Sequence, residues 1–325
     1  MKKIVVFGGG SGSSHLLRGL KLFPVEITSV VTVCDNGTST GRLRKEFDIP
    51  AVGDITKVLL EMSDTSDDIK ELMNYRFTAS KTMGNHSVKN LLLTALLDLK
   101  GNFKEALPIM EELLNTKVRV LPLTEENVEL VGKTESGKFI MGEAEITAAK
   151  EKMVDISYNK PFIVNDEVYE VVNEADLIII SYGSLYTSIL PHLVVSELAE
   201  KINQCKAKKL YICNLVSQPG ETDDFCVSDH VNVIQKYIKL DAVMANNALI
   251  EPDIIEKYSS KEQKDPILFD YEKLKRLEID IISEKTYMIE NNLLRHDPLK
   301  IGYLVFSYLI KEWMELGFFL QYVII

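Results

Sequence analysis

The stretch that most limits what this chain can become is Lys2 to His15, KKIVVFGGGSGSSH, an apolar run that empties into glycines and serines. Lys3 to Phe7 is rich in β-branched residues, as a buried strand is, and Ser13 to Leu22 carries apolar residues at helical spacing. A strand, a tight glycine loop and a helix are predicted in that order. Such a loop turns backbone N–H groups outward at a helix N-terminus, where the dipole favours an anion, so phosphate is the ligand class it suits best. Its spacing departs from the standard motifs. A G-x-G-x-x-G started at Gly8 meets Ser13 in its last place, and no Gly-Lys-Ser/Thr closes the loop. A strand-to-helix turn without a ligand is the alternative reading of the same glycines.

The 325 residues suffice for a substantial core, and 46% hydrophobic with 26% charged residues is ordinary for a globular protein. A net charge of −11 argues against nucleic acid and anionic membranes as general partners, while a local basic pocket stays compatible with it. Cys34, Cys205, Cys213 and Cys226 lack C-x-x-C spacing and are expected as reduced thiols. The chain enters a strand at once, without a signal-peptide pattern, and its apolar tail Leu316 to Ile325 is too short to span a bilayer. A cytoplasmic location without a membrane span is expected.

Glu26 to Val33 predicts a second strand, which runs into the polar loop CDNGTSTGRLR at Cys34 to Arg44. In a parallel sheet this loop and the first one share the carboxyl edge, where open α/β sheets bind ligands. Helices are predicted to Glu61 with Asp54 as cap, over Asp67 to Tyr75, from the cap Ser87 to Gly101, and over Phe103 to Leu114. Val118 to Leu121, Val128 to Val131 and Lys138 to Glu145 predict short strands, the last two joined through Ser136-Gly137. Residues 115 to 165 therefore form an antiparallel excursion from a Rossmann-like core at 1–114 and 166–325. Strands at Ala175 to Ser181, Lys209 to Cys213 and Ala242 to Ala245 resume the alternation, with helices through Lys201 and over Ser228 to Ile238. Residues 251 to 285 read as charged and irregular, Thr286 to Ile289 as a short strand, and Asp297-Pro298 as the start of a closing helix. The fold class is α/β: one domain with a mostly parallel, doubly wound sheet and an antiparallel β-hairpin excursion.

Asp35 follows the second strand about where an acidic residue meets a ribose in dinucleotide folds, and it equally suits Mg²⁺ beside phosphates. It is the best candidate for a catalytic group, with a cap or turn role as the alternative. Thr38, Ser39, Thr40, Arg42 and Arg44, set around Gly37 and Gly41, resemble a second anion cradle, although such arginines also serve as solvated surface residues. Gly183 with Ser184, Tyr186, Thr187 and Ser188 offers a glycine and hydroxyls, but no Gly-x-Ser-x-Gly elbow. His192 and His230 suit structural roles, no histidine pair has metal spacing, and Arg295 at a helix entrance could clamp a phosphate, with Asp297 as cap.

Six motifs now stand in order: GGGSGSS at 8–14, CDNGTSTGRLR at 34–44, GNHSVKNLLLTAL at 84–96, GSLYTSILP at 183–191, NLVSQPGETDDFCVSDHV at 214–231 and NNLLRHDP at 291–298. Together they closely resemble the CofD-like family over nearly the whole chain, and within it the branch of gluconeogenesis factors. The resemblance implies a Rossmann-like fold and one of two functions. The transferase branch makes 2-phospho-L-lactate esters from a guanylyl-lactyl donor with Mg²⁺. The other branch binds UDP-sugars such as UDP-N-acetylglucosamine and supports cell shape and growth on gluconeogenic carbon sources. GRLR, GSLYTSILP and the QPGETD loop resemble the second branch, so a UDP-sugar-binding regulator is the expectation, with cell-envelope synthesis proteins among its partners and a homo-oligomer compatible with it. A scaffold with a vestigial pocket is the remaining alternative. Carried over by position, Gly9, Gly10, Ser11, Gly12, Gly37, Ser39 and Gly41 would meet the diphosphate, with Asn36 and Arg42 beside them. Asp35 would meet the ribose or a metal, and Arg295 the phosphates or sugar. Asn85, Asn90, Gly183, Ser184, Tyr186 and Thr187 would complete the site, and Tyr258 would stack on or border the ligand. Three departures stand out: Asn36 where the family has a second aspartate, Tyr182 for its usual proline and Ser11 for its usual threonine. The first removes a charge from any metal site.

Overall fold

The computed structural model of the chain describes residues 1–80, 83–149, 151–262, 264–290 and 293–315, apart from the side chains of Ser11 and of residues 260–262 and 312–315. The tail from Leu316 and the pair Asn291-Asn292 of the last motif lie outside the described residues, as does the side chain of the predicted ligand residue Ser11.

Twelve strands occur among the described residues, in three sheets. The opening apolar run is β1 (Lys2–Gly8), which leads through Gly9 into helix α1 (Gly10–Leu20). It pairs in parallel with β2 (Val25–Val31), and β2 pairs with β3 (Arg119–Pro122). The antiparallel sheet comes next in the chain, with β4 (Leu130–Thr134), β5 (Phe139–Met141) and β6 (Met153–Tyr158) in the order β5-β4-β6. The chain then returns to the other side of β1 with β7 (Leu177–Ile180), followed outward by β8 (Lys208–Ile212), β9 (Ala242–Asn246) and β10 (Asp280–Glu284). The parallel sheet reads β10-β9-β8-β7-β1-β2-β3. Ile4 to Phe7, Leu177 to Ile180 and Ala242 to Ala245 are buried, as central strands covered by helices on both faces must be. β11 (Tyr287–Glu290) and β12 (Leu293–His296) form a hairpin before the closing helix Pro298–Glu315.

Strand order reverses at β1, whose neighbours β2 and β7 lead to opposite halves of the sheet. Crossovers at such a point leave on opposite faces and open a crevice at the carboxyl edge. Behind the sheet, α1 crosses the closing helix at Gly19 and Gly302. A Cβ on Gly19 would run into the Pro298 carbonyl, and one on Gly302 would come within 2.8 Å of the Gly19 backbone. Asp297 caps that helix through the Lys300 N–H at 3.0 Å, as expected.

Several elements differ from the sequence expectation. Val118 to Leu121 supplies an edge strand of the parallel sheet, so the antiparallel sheet begins after it. Lys138 to Glu145 is a strand only to Met141, after which Glu143–Ala149 is helical, and β6 is an additional strand. The supposed second loop is largely helix α2 (Thr38–Phe47), with Gly37 at its start. Asp54 sits inside the first turn of helix α3 (Gly53–Glu61), behind Val52. Residues 251 to 285 contain the helix Pro252–Glu262 and strand β10. β10 is half-buried at a sheet edge, so it lacks the continuous apolar run that marks the central strands.

Gly19→Ala is expected to destabilise the protein by about 1–3 kcal/mol, because two packed helices must separate to admit one methyl. Urea unfolding measures it, and an unchanged midpoint would contradict this reading of the crossing.

Candidate functional site

The loops after β1 and β7 press directly on each other. A Cβ on Gly12 would meet the Tyr182 carbonyl oxygen, and one on Gly10 would meet the Asp54 carboxylate. These glycines are therefore required by the close approach of protein to protein, and the first turn of α1 is held against the other half of the sheet. The segment after β7 is a π-helical turn, Leu185–Ile189, a form often found at functional sites. Ser184 starts it, accepting the Thr187 N–H at 2.9 Å.

A cleft of about 620 Å³ opens beside this junction, lined by Gly12, Ser14 and His15 of α1, by Tyr182 to Ser184, by Asn214 to Gln218 after β8, and by Leu294 to His296 of β12. Lys57 and Glu61 of α3 and Lys264 complete it. Asn214 fixes the wall by exchanging two hydrogen bonds with Gly183: it accepts the Gly183 N–H at 2.8 Å and donates to the Gly183 carbonyl at 2.6 Å. Arg295 is exposed at the rim; burial and then the charge of Arg18 push His15 below the usual imidazole range, with Arg295 a smaller cause in the same direction. His296 is buried against the Tyr182 ring at 4.0 Å, and burial pushes it down to about 3, so it is neutral near pH 7.

Tyr258 is 5% exposed and packs with Leu215, Ile250, Tyr287 and Leu294 in a small core under the hairpin. Its hydroxyl accepts the Leu294 N–H at 2.8 Å and lies 3.5 Å from the Leu294 carbonyl. It thereby holds the strand that carries Arg295, and its ring is enclosed by protein.

Behind the cleft lies a group of carboxylates. Glu221 accepts from Ser184 Oγ at 2.5 Å, from the Tyr186 N–H at 3.3 Å and from Gln218 Nε2 at 2.7 Å, joining the loops after β7 and β8. Burial pushes Glu221 up to about 7 despite these donors. Burial, and then the charge of Asp35, raise Asp54, which the Gly10 N–H partly offsets. Glu143 is raised well above the usual carboxylate range by burial and then by Asp54, Asp35 and Glu221. Asp35 itself accepts the Gly37 N–H at 2.8 Å.

A second cavity, of about 610 Å³, lies between α2 and the antiparallel sheet and shares no lining residue with the first. Asn36, Gly41 and Arg42 line it together with Arg44 and Lys45. Asn36 is tied to the helix Glu143–Ala149, donating to Glu145 at 2.6 Å and accepting the Ala144 N–H at 2.8 Å. Arg42 donates to the Gly84 carbonyl at 3.0 Å, and Arg44 is buried, donating to Val128, Asn127 and Cys34.

The predicted residues thus separate into groups. Gly12, Gly183, Ser184 and Arg295 line the cleft; Asn36, Gly41 and Arg42 line the second cavity. Gly9 and Gly10 are packed in the junction, Ser39 bonds His86 Nδ1 at 2.9 Å, and Asn90 is buried, accepting from Thr56 at 2.7 Å. Asn85 takes a left-handed backbone at φ 67° in the loop that receives Arg42. Tyr186 and Thr187 are buried in the π-helical turn. His230 is structural, bonding the Tyr211 hydroxyl at 3.0 Å, and His192 is buried beside Phe7. Sequence reasoning missed Asn214, Gln218 and Glu221 although their motif was in view, because nothing in the local pattern says that an amide will pair with a glycine 31 residues earlier.

Tyr258→Phe should cost about 1–3 kcal/mol, since the buried Leu294 N–H loses its acceptor; urea denaturation measures it, and an unchanged midpoint would contradict the role. The folded-state pKa of Glu221 lies above its unfolded value. Its stabilising contribution is therefore complete below 4.5 and is lost as pH rises through about 7. Relative to Glu221→Gln, the wild type should lose up to about 3 kcal/mol across that window. Parallel pH profiles of melting temperature for the two proteins would contradict this.

The model of the family described as 2-phospho-L-lactate transferase CofD matches residues 4–287. The chain is 39% identical over 315 residues to the gluconeogenesis factor of Bacillus subtilis (strain 168), covering 95% of this chain and 98% of that protein. It is also 39% identical over 308 residues to the gluconeogenesis factor of Halalkalibacterium halodurans, with 93% and 94% covered. The crystal structure of protein BH3568 from Bacillus halodurans superposes with a TM-score of 0.90 at 39% identity, over 94% of this chain and 99% of that one. Fold, motif order and near full-length similarity agree, and the chain belongs to the CofD family.

Proposed function

We propose that this chain binds a nucleotide diphosphate sugar of the UDP-sugar class in the cleft beside β1 and acts as a regulator. The observation that carries the reading is the cleft itself: it sits at the point where strand order reverses and joins the first turn of α1 to an exposed arginine on β12. Its volume of about 620 Å³ suits a ligand of nucleotide-sugar size. Arg295 offers a planar guanidinium to the diphosphate, and the paired Asn214 and Gly183 give the opposite wall a fixed shape. His296, neutral and enclosed, adds no charge. The proposed ligand path runs from the first loop toward Arg295, rather than from the first loop to Gly37 and Gly41, because Gly41 lines a separate cavity and Gly37 does not line the cleft. The same reading places the protein in the cytoplasm, in growth on gluconeogenic carbon sources and cell-shape maintenance, with cell-envelope synthesis proteins as partners. The names of its relatives support the gluconeogenic part.

A second reading, transfer of a phosphate ester with Mg²⁺, is favoured by one specific observation. Asp35 and Asp54 lie near enough for the charge of the first to raise the second. Such a pair suits a hard cation completed by phosphate oxygens and water. Among the described residues no group of three or more His, Cys, Asp or Glu side chains is placed to hold a metal, so such an ion would depend on the ligand's own oxygens. When bound, it would neutralise phosphate charge, while Asp35 and Asp54 would hold it at the junction. Mg²⁺-dependent release of GMP from a guanylyl-lactyl donor is the expected result on this reading, and no turnover removes it.

Titration calorimetry with UDP-N-acetylglucosamine tests the first reading. Saturable binding is expected, and Arg295→Ala should weaken it about 10- to 100-fold, the worth of a charge-assisted contact, at an unchanged melting temperature. Absence of binding at millimolar ligand would overturn it.

A further inference from the structure

Positive charge gathers in a further cavity of the helical layer. Helices α1 and α3, with the helices Asp67–Asn74 and Val88–Lys100, enclose a cavity of about 400 Å³. Its charged lining is Arg18, Lys21, Lys57, Lys70 and Lys89 against the single carboxylate of Glu61. Five cations thus face one anion in a chain whose net charge is −11. Glu61 is engaged by Arg18 at 3.6 Å, and Lys21 reaches Asp64 at 3.7 Å, a carboxylate that Lys117 holds at 3.1 Å. Lys89 donates to the neutral side chain of Asn74 at 2.7 Å, and neither it nor Lys70 is ion-paired among the described residues. Burial, followed by the charges of Lys57 and Arg76, pushes Lys89 down to about 8. Crowding like charges in a half-buried concavity is unfavourable until an anion enters it.

We propose that this basic cavity, which adjoins the nucleotide cleft, is a second binding site, for a small phosphate compound carrying at least two negative charges, with Lys70 and Lys89 as its principal ligands. A concavity of this size between helices fits a small molecule. It is also one helix face away from the cleft: Lys57 and Glu61, four residues apart on α3, line both cavities. An anion that attracts Lys57 changes the charge presented to the cleft, so occupancy of one cavity is felt in the other. The inference does not depend on the cleft binding a UDP-sugar.

Pyrophosphate serves as the probe, titrated by calorimetry and by ³¹P NMR at low salt into the wild type, the double variant Lys70→Gln/Lys89→Gln and the cleft variant Arg295→Ala. Saturable binding is expected in the wild type and in Arg295→Ala, at least tenfold weaker in the double variant, restored by Lys70→Arg/Lys89→Arg, and weakened by added salt. Without ligand, the double variant should melt no lower than the wild type, since it relieves repulsion. If it fails to fold, the single variant Lys70→Gln decides with the same expected weakening. No saturable binding, or equal affinity in wild type and double variant, would overturn the proposal. Loss in Arg295→Ala alone would place pyrophosphate in the cleft and overturn it too. UDP-N-acetylglucosamine titrated into the double variant distinguishes the source of the phosphate. Unchanged affinity supports a separate ligand, and a tenfold loss would mean that the cavity serves the cleft's own ligand and would overturn the proposal. Tight binding of phosphatidylserine vesicles that pyrophosphate does not displace would assign the patch to a membrane surface and overturn the small-molecule assignment.

Discussion

Everything at the carboxyl edge depends on the contact between the first turn of α1 and the loop after β7. Gly12 lies against the Tyr182 carbonyl so closely that no side chain fits between them. This approach brings together two halves of a sheet that run outward from β1 in opposite directions. It fixes where α1 points, and therefore where its first N–H groups can meet a ligand. A larger residue at position 12 would move the helix, the π-helical turn and the cleft together. Glycine here is needed for packing first, and the openness of the neighbouring cleft follows from it.

The second organising feature is the set of carboxylates under that contact. Glu221 gathers donors from Ser184, Tyr186 and Gln218, and so binds the loop after β8 to the turn after β7. Asp54 and Glu143 are held above their ordinary ionisation range by burial and by their acidic neighbours. A phosphate lying directly across the middle of the junction would add another negative charge beside these carboxyls, which is unfavourable without a cation. The basic groups lie to either side: Arg295 at the rim of the cleft, Arg42 and Lys45 around the second cavity, and Lys70 and Lys89 behind α3.

The parallel core was readable in the sequence because strands buried on both faces, such as Ile4 to Phe7 and Leu177 to Ile180, appear as unbroken apolar runs. β10 carries no such run because Asp280 to Glu284 is only half-buried at an edge, and the sheet that β3 joins is not legible in its residues because pairing is a long-range property that a four-residue strand does not carry. Helix α2 has the sequence of a loop at its start, since Thr38 to Gly41 are weak helix formers; contacts to His86 and Val128 compensate. The glycine loop lies where its sequence puts it, between β1 and α1 at the carboxyl edge of the sheet. Which residues of the motifs around Gly37 and Gly183 share a cavity is decided by packing 30 to 100 residues away in sequence, as the bonds of Asn36 to Glu145 and Asn214 to Gly183 show.

The central claim is that the cleft walled by Gly12, Gly183 and Arg295, and not the cavity beside Arg42 and Lys45, receives the nucleotide diphosphate. A crystal structure of the protein grown with UDP-N-acetylglucosamine tests it most directly. The account predicts diphosphate density between the first turn of α1 and Arg295, with the Asn214–Gly183 pair intact. Density for the diphosphate beside Gly41, Arg42 and Lys45, with the cleft occupied only by water, would contradict it.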